Sequence, residues 1–206
     1  VATFFGGALG YFLGTERPPG AGSIEVGFYR DMTTHHDQAV QMALLELANG
    51  ENPTVRGFAQ EIVIFQRWEM GRMFERLRGW DITSEPPATA MAWMGMPVRA
   101  ADMPGLATSE QMQALQDARG AKADALFLEL MAEHHRGGAH MAGYAAKHAG
   151  RPDVRALADL RRGNTLDSTN YDIWYHLAPI YMPLRALESV WNDLAARVAD
   201  RCSASS

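Results

Sequence analysis

Apolar positions recur every three or four residues along most of the chain, and no stretch shows convincing strand alternation. The spacing predicts helices over about 24–49, 54–79, 109–118, 121–149, 153–176 and 183–200. Ser23 is placed to cap the first of these, with Val26 soon after. Asn49-Gly50-Glu51-Asn52-Pro53 and Ala149-Gly150-Arg151-Pro152 read as matching junctions, glycine closing one helix and proline opening the next. Residues 81–108, rich in Pro, Met and Ala, predict an irregular linker. Pro179 and Pro183 break the chain before the last helix.

The junctions match because the pattern repeats. A shift of 99 residues lays Phe28 on Phe127, Met32 on Met131, His35-His36 on His134-His135 and Met42-Ala43 on Met141-Ala142. The register continues without a gap through Pro53 and Pro152, Val55-Arg56 and Val154-Arg155. Two helical hairpins, each with an exposed apolar face, bury it by packing together. The expected fold is therefore all-α, a four-helix bundle with a pseudo-twofold axis plus accessory C-terminal helices. Its parts are an apolar N-terminal segment and linker (1–22), hairpin 1 (23–80), the Met-rich linker (81–108), hairpin 2 (109–178), and a C-terminal helix with a polar tail (179–206).

The first 14 residues carry no charge and four glycines, which makes them a poor core element. About 20 apolar residues span a bilayer. The segment is therefore read as the end of a longer membrane anchor or of a signal peptide, which places the protein outside the cytoplasm. Thr15 to Gly22 is a polar, Pro/Gly-rich connection.

The 206 residues are 47% hydrophobic and 21% charged, in keeping with a folded domain. A net charge of −5 leaves no basic surplus for nucleic acid. The chain has 12 Met and 7 His but one Cys, Cys202 in the tail, so any metal site must use imidazole, thioether or carboxylate.

Both first helices contain Met-x-x-His-His-x5-Met-Ala. On a helical wheel with Met32 at 0°, His35 falls near about 300°, His36 near about 40° and Met42 near about 280°. Phe28, Ala39 and Ala43 share that arc, while Thr34, Asp37, Gln38 and Gln41 lie opposite. His134 and His135 flank Met131 in the same way, and His140 points to the other side. The second helix puts Gln66, Glu69 and Met73 on the stripe of Val55, Ala59, Ile62 and Leu77. A core-facing carboxylate needs a partner or a metal, so Glu69 is expected to ligate an ion or to orient His35 or His36. The plainer alternative is a hydrogen-bonded core histidine among gap-filling methionines. Adjacent histidines repeated with the same Met neighbours favour imidazole-plus-thioether metal binding. On one helix His35 and Met42 are about 10 Å apart along the axis, so each site must draw ligands from several helices. Met91, Met94, Met96 and Met103, with Trp93 among them, are either a second soft site suited to Cu(I) or a cover for an apolar patch.

Other chemistries find no support. No His has a Glu three residues before it, as a bundle di-iron site wants. A His-Glu-x-x-His motif, a zinc Cys pair, a Gly-x-Ser-x-Gly elbow and a phosphate loop are all missing from the sequence.

Residues 28–43, from Phe28-Tyr29-Arg30-Asp31-Met32 through His35-His36 to Met42-Ala43, resemble the domain of unknown function 305 group of bacterial secreted and membrane-anchored proteins. Phe127 to His135 and Gln66-Arg67-Trp68-Glu69-Met70-Gly71-Arg72-Met73 carry the same resemblance, which covers about residues 24 to 160. It implies a ferritin-like helical bundle exported from the cytoplasm, with some members associated with copper. Two departures stand out. Thr165, Ser168 and Asp172 occupy the positions where the second hairpin would repeat the Gln-x-x-Glu-x-x-x-Met pattern, and Arg136-Gly137-Gly138 follows the second His pair.

The functional expectation is an extracytoplasmic copper-binding bundle that buffers or delivers the ion, secreted or held on the bacterial membrane. His35, His36, His134 and His135 would supply nitrogen, and Met32, Met42, Met131 and Met141 sulfur, with Glu69 and Met73 beside them. Alternatives are a ferritin-like redox enzyme holding iron through Glu69 and the histidines, or a partner-binding module without metal. Membrane anchoring through the N-terminus and a homodimer stay open.

Overall fold

The computed structural model describes residues 17–86 and 88–158. Helix α1 (Ile24–Asn49) starts at Ser23, whose hydroxyl accepts from the Val26 amide at 3.3 Å. Helix α2 (Pro53–Gly79) starts at Asn52, whose side chain accepts from Thr54 and Val55. Pro53 at its first position gives up no hydrogen bond there. Arg76 and Arg78 in the last turn of α2 face its negative dipole end. Helix α3 (Ser109–Asp117) opens with a reciprocal capping box between Thr108 and Gln111. Helix α4 (Ala121–His148) follows Gly120, which takes a φ of +58°. A further helix begins at 152 and is described as far as 158.

The described residues are all-α apart from one small ladder. Within the linker, β1 (Thr89–Ala90) pairs antiparallel with β2 (Val98–Arg99), and two 3₁₀ turns cover Ala92–Met94 and Ala100–Asp102. The linker is thus more ordered than its composition predicts. The remainder of the expected 153–176 helix, the 183–200 helix and the N-terminal apolar segment lie outside the described residues. Among the described residues, no helix is long and apolar enough to cross a membrane.

Helices α1 and α2 form an antiparallel hairpin, and α4 packs across α1. Two apolar clusters result. One gathers Phe28, Met32, Met73, Leu77 and Met141 with the linker methionines. The other gathers Ala39, Met42, Val55, Ile62, Phe127 and Met131. Both junctions are tied by an acid on the opposite hairpin. Asp124 accepts from the amides of Glu51 and Asn52, each at 3.1 Å. Glu25 accepts from Gly150 at 2.6 Å and Arg151 at 3.2 Å. Donors and acceptors are offset by the same 99 residues as the sequence repeat.

Candidate metal centre

The four predicted histidines sit where α1 crosses α4 and α2. His35 and His134 meet directly, their ring centroids 3.6 Å apart, and both are buried. His134 Nε2–H donates to the main-chain carbonyl of His35 at 2.7 Å. A carbonyl oxygen can only accept, so this bond fixes the proton on Nε2 and leaves the lone pair on Nδ1. His135 Nδ1–H donates to the Met131 carbonyl at 2.8 Å, which puts its lone pair on Nε2. His36 Nε2 lies 3.0 Å from a Glu69 carboxylate oxygen, with both side chains 3% exposed. The carboxylate accepts from Nε2–H and orients the ring, as carboxylates do for ligating histidines. Of the two roles expected for Glu69, the structure shows this orienting contact.

Burial holds the His134 pKa well below its usual value, and the nearby His35 and His135 add to the shift. Burial also lowers His135, against the opposing bond to Met131. Both rings are neutral at pH 7, the form that binds metals.

The thioethers divide into two sets. Met32 and Met141 share the first apolar cluster with Met73, whereas Met42 and Met131 share the second. The His pairs lie between them along each helix. Met32 and Met42 are about 15 Å apart along α1, so all four cannot serve one ion. Met73 also accepts weakly from the Thr33 hydroxyl at 3.8 Å. His140 is exposed on the far side of α4, as its position on the wheel requires. Among the described residues, no group of three or more His, Cys, Asp and Glu side chains is placed to hold an ion. A site built here must combine the imidazoles with sulfur, and the donors present fit a soft ion.

The Arg136-Gly137-Gly138 departure has a steric reason. A Cβ on Gly138 would lie 3.1 Å from the His35 ring, and one on Gly137 would lie 1.9 Å from the Pro104 carbonyl. The two glycines admit the partner histidine and the crossing linker. The linker methionines resolve toward packing: Met91, Met94 and Met103 are buried in the first cluster, and Met96 alone of the four is exposed. Thr165, Ser168 and Asp172 lie outside the described residues.

Three polar groups near this layer had no role assigned from the sequence. Gln66 is buried one turn from Glu69, and its Oε1 has no hydrogen-bond donor among the described residues. Asp31 and Gln38, on α1 either side of the His pair, hold the linker in place. Only Gln66 carried a signal, through its place on the buried stripe.

The family model for the domain of unknown function (DUF305) matches residues 25–160. The chain belongs to the DUF305 family. A candidate secreted DUF305 protein from Streptomyces coelicolor is 30% identical, with a TM-score of 0.65 over 88% of this chain and 94% of that one. A DUF305 fragment from Deinococcus radiodurans is 26% identical, with a TM-score of 0.62 over 82% and 96%. CopM in its Cu(II)-bound form is similar at 22% identity and a TM-score of 0.53, over 83% and 97%. No curated protein matches this DUF305 chain.

Proposed function

We propose that this DUF305 protein binds copper outside the cytoplasm, for buffering or delivery rather than catalysis. The observation that carries the reading is the buried contact between the His35 and His134 rings at 3.6 Å, with methionines above and below. His134 Nδ1 and the His35 ring would offer nitrogen, with His36 and His135 beside them. Met32 and Met141 on one side, and Met42 and Met131 on the other, would offer sulfur. Glu69 would act by orienting His36, and Met73 belongs with the first sulfur pair. Neutral imidazole with thioether suits Cu(I), which fits holding the ion better than oxidation chemistry. One protein of similar fold is a Cu(II)-bound form, which makes copper the first metal to test. The candidate secreted neighbour supports an extracytoplasmic place, secreted or membrane-anchored.

We also read the two hairpins as an ancient duplication completing a ferritin-like bundle. The matched acid caps at both junctions and the His134–His35 bond, 99 residues apart, support it. The test is titration of Cu(I) and Cu(II) into the purified protein and into His35→Ala/His134→Ala. Tight binding lost in the variant supports the site; unchanged affinity removes it. Two tightly bound irons per chain after purification without added metal would favour the redox alternative instead. No metal effect on melting temperature would favour a partner-binding module, since a ligand of the native state raises it.

A further inference from the structure

We propose that residues 103–107 form a gate over the histidine layer, latched by Gln38 and carrying Met103 on its inner side; this rests on the copper reading above. His35, His36 and His134 are buried, so an ion can reach them only if something moves, whereas His135 is half-buried. The helices are held by continuous backbone ladders, whereas the linker is held by a two-pair strand ladder and a few side-chain bonds.

The two ends of the linker are fastened differently. At its first end Trp93 is a fixed pin. Its indole N–H and the Met91 amide both donate to the buried Asp31 carboxylate at 2.7 Å. The ring meets Phe28 and Tyr144 edge-on, and Gly27 leaves room for it, since a Cβ there would lie 2.3 Å from the indole. At the other end Pro104-Gly105 lies directly on the second His motif. A Cβ on Gly105 would come within 3.0 Å of His134 Cα, and Gly105 itself takes a φ of +88°. This arm is tied to α1 by Gln38, which donates to the Ala107 carbonyl at 2.9 Å and accepts from its amide at 2.6 Å. Gln38 is half-buried, within one turn of the His pair.

The arm therefore swings on the Trp93 pin when the Gln38 latch releases. Met103, buried against the cluster of Met32 and Met141, moves with it. Its thioether would be the first sulfur an entering ion meets. Opening the gate speeds entry and exit equally, because the bound state is the closed one on either side.

The test is Gln38→Ala, with two measurements. Stopped-flow transfer of Cu(I) to and from a chromophoric chelator should show uptake and release both faster by about tenfold, the effect of losing two modest hydrogen bonds. Affinity should stay within about twofold. Hydrogen exchange on the metal-free protein should show the Ala107 amide exchanging faster while the Met91 amide, on the pinned end, does not. Unchanged rates with a faster Ala107 amide overturn the gate and leave the copper site standing. Unaltered Ala107 exchange overturns the latch. A wild-type protein that binds no copper removes the parent reading and the gate together, whatever the amides do.

Discussion

Glu46 is fully buried on α1, facing Asp124 of α4, with the two carboxyl groups crowded around Gly50. Asp124 accepts from the amides of Glu51 and Asn52, and Glu46 lies beside it against Gly50. Burial first, then the bond to Asp124 and its charge, push the Glu46 pKa up from 4.5 to about 8, against a smaller pull from Arg56. The folded protein keeps a proton that the unfolded chain releases. This part of the stability is therefore complete below pH 4.5, declines as pH rises, and levels off above about 8. At about 1.4 kcal/mol per unit, the cost is ~1 kcal/mol at pH 5, ~3 at pH 7 and ~5 at pH 9. Gln at this position donates permanently to Asp124 and removes the cost. Urea denaturation of wild type and Glu46→Gln should show the variant more stable by about 2–3 kcal/mol at pH 7, after allowance for burying an amide. The gap should widen toward pH 9 and close toward pH 5. A difference that stays flat across that range would refute the raised Glu46 pKa.

Other outcomes follow from the same contacts. Glu69→Ala leaves His36 without its buried carboxylate and should cost about 1–3 kcal/mol, read by denaturation, with Glu69→Gln losing less. Gly137→Val drives a side chain into the Pro104 carbonyl and should cost about 1–3 kcal/mol by overpacking, read as a lower Tm. Asp124→Ala and Glu25→Ala each strip the acceptor from two junction amides. Each should lower stability by about 1–3 kcal/mol, read by denaturation, with part of the Asp124→Ala loss offset by relief of the neighbouring Glu46.

The helices were legible because caps and periodicity agree along them. Ser23 and Pro53 each mark a start that the structure keeps. The inward direction of His35, His36, His134 and Glu69 followed from the same wheel, and all four are buried. What was missed depends on contacts between distant segments. The linker has no period, so the burial of Met91, Met94 and Met103 could not be told from exposure. The hold of Asp31 on Trp93 and of Gln38 on Ala107 joins residues 62 and 69 positions apart. Glu46 is different: it falls on the Met32 arc of the wheel, near about 320°, and its polarity obscured its burial. The same holds for Gly137 and Gly138, whose departure from the repeat marked a close approach of the linker and His35.

The copper reading requires that imidazole and thioether together hold one ion. X-ray absorption at the copper edge of the Cu(I)-loaded protein reports those donors directly. Both nitrogen and sulfur scatterers should appear in wild type and stay unchanged in His140→Ala, with the nitrogen shell lost in His35→Ala/His134→Ala. A spectrum without sulfur, or one that the double substitution leaves intact, would contradict it.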